Sequence, residues 1–143
     1  MTNFNIQDNP IKYIKGGKKQ LTEDAVFEID ILPSKDIVTE FVELGADGIL
    51  LIKRGFFWDG ASGPTIDTPS VHRGACIHDA LYRLFQKGHL TEESDRRKAD
   101  RILYDYLRHD GMWKFRAKVW HRSLRRWGMK SSMRVKKIFT APK

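Results

Sequence analysis

The sequence predicts an α+β domain, and three observations carry that expectation. Runs of alternating apolar and polar residues fill about 24–57. A stretch dense in glycine and proline follows at 58–69. Apolar stripes at helical spacing then run over about 70–128. Period-two patterning reads as half-buried strand, and a period of 3.6 as amphipathic helix. The expected architecture is an N-terminal antiparallel β-meander followed by a helical part. Two antiparallel helices carry a His-Asp and an Ala-Asp pair, and a third helix is basic.

Residues 1–20 read as an irregular arm, because Pro10, Gly16, Gly17, Lys18 and Lys19 break any period. Next, Val26, Phe27, Ile29 and Ile31 alternate with Glu28 and Asp30. A second run, Ile37 to Leu44, is rich in β-branched residues. Gly45-Ala46-Asp47-Gly48 leads to a third run from Ile49 to Lys53, extended toward Phe57. Such runs joined by short Gly/Asp turns are hairpin signals. Trp58 to Pro69 holds two glycines and two prolines and is a shaped loop.

Ser70 is the expected cap of the first helix, which runs to about Lys87 and stops at Gly88. Its stripe is Val71, Ala75, Leu81, Leu84 and Phe85. Thr91 is the expected cap of the second, with Glu92 and Glu93 complementing the dipole of its first turn. Its stripe is Ala99, Ile102, Leu103, Tyr106 and Leu107, ending near Asp110-Gly111. The third helix runs from about Met112 to Trp127, with Trp113, Ala117, Trp120, Leu124 and Trp127 as its stripe. Residues 129–143 form a basic tail. The 143 residues suit one domain over 1–143.

Composition excludes several classes. Hydrophobic residues make up 41% and charged residues 31%, which permits a packed core and argues against wholesale disorder. No apolar run approaches the roughly 18 residues that span a bilayer, and the longest is Gly48 to Ile52. The first residues lack a signal-peptide layout. Cys76 alone excludes an internal disulfide framework or a zinc site built on several thiolates. The net charge of +8 is uneven: residues 112–143 hold 11 Lys/Arg and no acid, leaving 15 basic against 18 acidic residues before them. Lys114, Arg116, Lys118, Arg122, Arg125 and Arg126 form an outer basic face of the third helix. It suits an anionic phospholipid surface, nucleic acid or an acidic protein, or is simply a solvated face.

The chemistry-bearing group centres on His78-Asp79. Helical spacing puts His78 on the face of Gly74, Ala75, Leu81, Tyr82 and Phe85. Asp100 lies 22 residues later on the second helix, which an antiparallel pair would bring against His78. A carboxylate on one ring nitrogen fixes the tautomer and leaves the other nitrogen to take a proton from water. Asp79, about 100° further round the helix, suits a hard cation held by oxygens, with carbonyls of the 58–64 loop turned onto the same ion. The structural alternative makes His78 a core histidine and the two aspartates surface or ion-pair residues. A metal phosphohydrolase of the tandem His-Asp kind needs a further histidine on a separate helix, and His72 is too close to supply it. Cys76 sits among apolar neighbours, where a small buried thiol is the default. The tryptophans at a spacing of seven suit a core stripe or an interfacial anchor.

Two resemblances rest on these residues. Ala75-Cys76-Ile77-His78-Asp79-Ala80-Leu81-Tyr82, followed by Ala99-Asp100, resembles the active-site helices of phospholipase A2 enzymes, nearest the parvovirus capsid type. That resemblance implies His78 as general base, Asp100 as its orienting partner and Tyr82 as a hydrogen-bond support for Asp100. It implies calcium on Asp79 and on carbonyls near Asp59, Gly60 and Gly63, stabilising the oxyanion. Read with Phe57-Trp58-Asp59-Gly60-Ala61-Ser62-Gly63-Pro64, the chain over about 50–128 also resembles the phage and prophage family numbered 1353 among domains of unknown function. This implies a phage-encoded protein in the host cytoplasm or the virion, and names no activity. Three functions follow as expectations: a calcium-using, phospholipase A2-like ester hydrolase docking on anionic lipid; a non-catalytic virion or tail component among other virion proteins; and a sequence-independent nucleic-acid-associated protein.

Overall fold

Alternation along Ala25-Val26-Phe27-Glu28 is carried into space without a break: Ala25 and Phe27 are buried, Val26 and Glu28 exposed. A computed structural model describes residues 10–16, 18–58, 72–112, 114, 117, 118 and 121. Among them the elements run β1 (Tyr13–Gly16), β2 (Lys18–Leu21), β3 (Ala25–Glu28), β4 (Ile37–Val38), β5 (Val42–Leu44), β6 (Ile49–Ile52), β7 (Phe57–Trp58), α1 (His72–Gln86) and α2 (Glu93–His109). The fold is α+β, with strands before helices.

Two antiparallel sheets form. One has the order β1-β2-β7, the other β3-β6-β5-β4. The meander is therefore β4-β5-β6, and β3 joins it on the far side of β6, pairing Ala25 with Ile52 and Glu28 with Ile49. Two expectations are corrected. The arm expected to be irregular contains the β1–β2 hairpin, pairing Tyr13 with Leu21 and Gly16 with Lys18. A Gly-Gly pair between short runs marks a hairpin as readily as a break. The run Ile37 to Leu44 is not one strand. Thr39 turns it back on itself: its Oγ1 donates to Val42 O at 2.6 Å and accepts from Val42 N–H at 3.1 Å. A hydroxyl that bonds its own backbone offers the chain a turn in place of a ladder.

The core lies where the sheets meet the helices. Phe27, Ile31, Val42, Leu44, Leu50, Ile52 and Phe56 are fully buried. Phe27 of β3 meets Tyr106 of α2 edge-on at 5.8 Å. Near the start of α1, Tyr13 contacts Trp58 at 5.5 Å and His72 at 5.1 Å. The expected stripe of α1 was too narrow. Cys76, Ile77, Ala80 and Tyr82 are buried as well, so α1 is enclosed on nearly all sides. Asp79, Arg83 and Gln86 keep partial exposure along one line of the helix.

Helix ends follow partly different rules from those expected. Gly88, at φ +79°, stops α1 as expected. The N–H groups of Gly88 and His89 return to the carbonyls of Phe85 and Leu84 at 3.0 and 2.9 Å. Ser70 lies outside the described residues. Thr91 does not cap α2. Glu92 holds the cap position with extended backbone and no side-chain capping bond. Its carbonyl instead accepts from Asp95 and Arg96 N–H at 3.1 and 3.2 Å. Of the third helix, expected from about Met112, Met112 is described as buried but not helical, and Lys114, Ala117, Lys118 and His121 are helical; the other residues of 113–128, with the 59–71 loop and the tail, lie outside the described residues.

The two helices run antiparallel and close. Arg73 at the start of α1 forks onto Asp110 beyond the end of α2, at 2.6 and 3.1 Å. Gly74 faces α2 so tightly that a Cβ there would lie 3.0 Å from Leu103 Cδ1 and 3.3 Å from Tyr106 Cβ. A branched side chain at this point has to push the helices apart. Gly74→Val is expected to lower the unfolding free energy by about 1–3 kcal/mol, read from urea denaturation midpoints. An unchanged midpoint would show that this seam yields freely.

Candidate functional site

The seam between α1 and α2 buries four polar side chains. His78 is 4% exposed, Arg96 2% and Asp100 not at all, with Tyr82 beside them at 7%. Helical spacing aligns His78 with Tyr82 on α1 and Arg96 with Asp100 on α2, each pair one turn apart. Buried charges survive only when paired and hydrogen-bonded, and Asp100 meets that condition in full. Its Oδ1 lies 2.9 Å from His78 Nε2 and accepts Tyr82 O–H at 2.5 Å. Its Oδ2 accepts from Arg96 Nη1 at 3.2 Å. The His78 and Tyr82 rings lie 4.0 Å apart.

Arg96 is itself held. Its Nε and Nη2 donate to the two carboxylate oxygens of Glu93 at 3.0 and 2.6 Å. Arg97 also reaches Glu93, at 3.5 Å. Sequence reasoning passed over Arg96 and assigned Glu93 to the helix dipole. The legible signal was the spacing Glu93-x-x-Arg96-x-x-x-Asp100, which puts all three on one face of α2.

The electrostatics follow from these partners. Burial works to raise the Asp100 pKa, but bonds from His78 and Tyr82 and the nearby positive charge outweigh it. The carboxyl is held below its ordinary 3.8. Burial works to lower the His78 pKa, yet Asp100 and Asp79 outweigh it and hold the ring above 6.5. Burial and the Asp100 charge push the Tyr82 hydroxyl far up, so it stays a donor. With Asp100 ionised, His78 Nε2 is the donor to it. In the neutral ring Nδ1 then carries the lone pair, and it lies 3.9 Å from Asp79 Oδ1, which favours a proton there.

The structure thus brings together His78, Asp100 and Tyr82. It sets Asp79, whose side chain is 36% exposed, at the outer edge of the group. Asp59, Gly60 and Gly63 lie outside the described residues. No group of three or more His, Cys, Asp or Glu that could hold a metal occurs among the described residues. Asp79 alone is too few donors for calcium, which takes six to eight oxygens. Of the basic face, Lys114 and Lys118 are exposed and Ala117 between them is buried, while Arg116, Arg122, Arg125 and Arg126 lie outside the described residues. Cys76 is buried, and burial raises its thiol pKa well above normal, which keeps it a packed thiol. No helix of the described residues is long and apolar enough to cross a membrane.

Fold and site together define an α+β protein with a buried His-Asp pair between antiparallel helices, braced by tyrosine and arginine. The chain belongs to the family described as protein of unknown function (DUF1353), whose model matches residues 36–124. The match runs from the start of the meander through α1 and α2 and so takes in every member of the buried network. No curated protein and no solved structure matches the chain.

Two measurements follow from the network. Arg96→Met leaves the Asp100 charge buried without its cationic partner and should cost about 3–5 kcal/mol of unfolding free energy; a loss under about 1 kcal/mol would mean that Asp100 is rehydrated or protonated at little cost. The pH dependence separates the two titrating partners. The folded pKa of Asp100 is lowered, so its contribution is present above 3.8 and fades as pH falls through the folded value. The folded pKa of His78 is raised, so its contribution is complete below 6.5 and fades as pH rises through the folded value. The stability deficit of His78→Gln should therefore be largest below 6.5 and shrink at higher pH. Denaturation curves across that range check it, and a deficit that grows with pH would reverse the assignment.

Proposed function

We propose that this chain is a hydrolase of carboxylic esters, of the phospholipase A2-like kind, with His78 as general base and Asp100 as its orienting partner. One observation carries the reading. Asp100 occupies the Nε2 side of His78, which leaves the Nδ1 lone pair on the side of Asp79, the half-exposed member of the group. A base so arranged takes a proton from water at Nδ1 as the water oxygen bonds to the ester carbonyl carbon. The imidazolium, supported by Asp100, then returns that proton to the leaving alkoxide. Tyr82 and Arg96 hold Asp100 ionised through the cycle.

Calcium belongs to this proposal through Asp79 and the loop carrying Asp59, Gly60 and Gly63, and no step is drawn through it. The exposed Lys114 and Lys118 support docking on anionic phospholipid. A second reading is favoured by the burial of Arg96 and Asp100. There the network is structural, and the chain is a non-catalytic component of a phage virion or tail.

Release of fatty acid from mixed anionic vesicles, with calcium or with chelator, separates the two. Wild type should release fatty acid and His78→Ala at least roughly 100-fold less, with chelator abolishing the rate if calcium serves. His78 must be neutral to act, and Asp100 and Asp79 raise its pKa, so the rate should climb only at pH above 6.5, where the ring loses its proton. No release by wild type from any lipid, together with a lower melting temperature for His78→Ala, would make the network structural.

A further inference from the structure

A base acts only if its lone pair faces the proton it takes, and in imidazole that choice is set by the partner of the other nitrogen. Three donors among the described residues converge on Asp100. His78 and Tyr82 share Oδ1, and Arg96 takes Oδ2. A carboxylate held at one oxygen only can turn about its χ2 torsion, which is broad for aspartate. Held at both, it cannot turn without breaking the Arg96 bond. Arg96 in turn has little freedom, since Glu93 takes its Nε and Nη2 as a fork and leaves Nη1 aimed at Oδ2. A bidentate arginine–carboxylate pair fixes a plane as well as a distance. The order of support runs from Glu93, partly exposed near the start of α2, through buried Arg96 and Asp100 to His78 on the facing helix.

We propose that Arg96, gripped by Glu93, is a positioning residue that locks the Asp100 carboxylate so that His78 keeps its hydrogen on Nε2 and its lone pair on Nδ1. Its catalytic meaning rests on the hydrolase reading above; its effect on the ring does not. Among the described residues, the groups facing the ring are Asp79 and Tyr82 from α1 and Asp100 from α2, and Arg96 holds the second oxygen of Asp100. Loss of Arg96 removes the bond at Oδ2, so Asp100 turns and takes a proton more readily, and a protonated Asp100 accepts from or donates to His78. The ring then divides between its two tautomers.

The test is the pair of imidazole nitrogen chemical shifts of His78 in the 15N-labelled full chain, read where the ring is neutral. Wild type should show a pyridine-like Nδ1 and a pyrrole-like Nε2. Arg96→Met should draw the two shifts toward each other, Glu93→Gln should do so by less, and Arg96→Lys should restore part of the separation. A structural arginine would alter the melting temperature without moving the tautomer. Wild-type shifts in both Arg96→Met and Glu93→Gln would overturn the proposal, as would a wild-type ring protonated at Nδ1. If Arg96→Met does not fold, Glu93→Gln decides alone, because the Glu93 carboxylate lies at the partly exposed end of the chain of bonds. Vesicle hydrolysis on the same samples keeps the two proposals apart. A tautomer that responds to Arg96 in a protein releasing no fatty acid upholds the positioning role and ends the hydrolase reading. Hydrolysis with a tautomer indifferent to both variants does the reverse.

Discussion

A fully buried carboxylate is the constraint around which the helical half is organised. Removing an ionised carboxylate from water carries a penalty of several kcal/mol even after relaxation, so Asp100 can sit in the α1–α2 seam only with its oxygens occupied. The occupants come from both helices: His78 and Tyr82 from α1, Arg96 from α2. Sliding one helix by a turn along the other would part Asp100 from its α1 donors and strand the charge. Burial of this kind adds little net stability but penalises every wrong register. The Arg73–Asp110 fork at one end and the close approach at Gly74 agree with the same register.

The strands supply the enclosure that the network needs. Two short sheets, neither wide enough to hide a face alone, pack against the helices through Phe27 on Tyr106 and through Tyr13 and Trp58 beside His72. Lys98 of α2 reaches back to the carbonyl of Asp30 at 3.0 Å and ties the second helix to the segment that follows β3. On α1, Arg83 lies over the Phe56 ring at 4.4 Å and donates to the Phe57 carbonyl. These contacts enclose α1 on most sides, and the low dielectric they create is why the directions at His78 and Asp100 are decided by their partners and not by water.

Much of this was legible in the sequence, for identifiable reasons. His78 and Asp100 announce themselves because a histidine on an apolar helix face and an aspartate beside an apolar stripe both violate binary patterning, and violations concentrate at sites. Tyr82 entered through resemblance, since a tyrosine on an apolar face breaks no pattern. Arg96 and Glu93 stayed hidden because charged residues three and four apart on a helix look like an ordinary solvated face, and only the third dimension shows that Arg96 points inward. Strand boundaries failed where a local hydrogen bond overrode propensity. Thr39 is β-branched and reads as strand, yet its hydroxyl makes the turn between β4 and β5. The β1–β2 hairpin escaped because its turn signal, Gly16-Gly17, is also the commonest breaker.

The charge balance of the network decides what the seam tolerates. With His78 neutral, Arg96 and Asp100 cancel, and the buried group carries no net charge. Adding a proton to His78 places a further positive charge inside; burial opposes it, but Asp100 and Asp79 outweigh burial and favour the charged ring. Two carboxylates stand at its borders: Asp79, 3.9 Å from His78 Nδ1, and Glu93 on the far side of Arg96. Both are partly exposed: Asp79 favours the protonated ring, and Glu93 holds Arg96. The Asp79 and Asp100 carboxylates thus make the protonated ring tolerable in a buried seam, and its charge is set by these partners and not by burial alone.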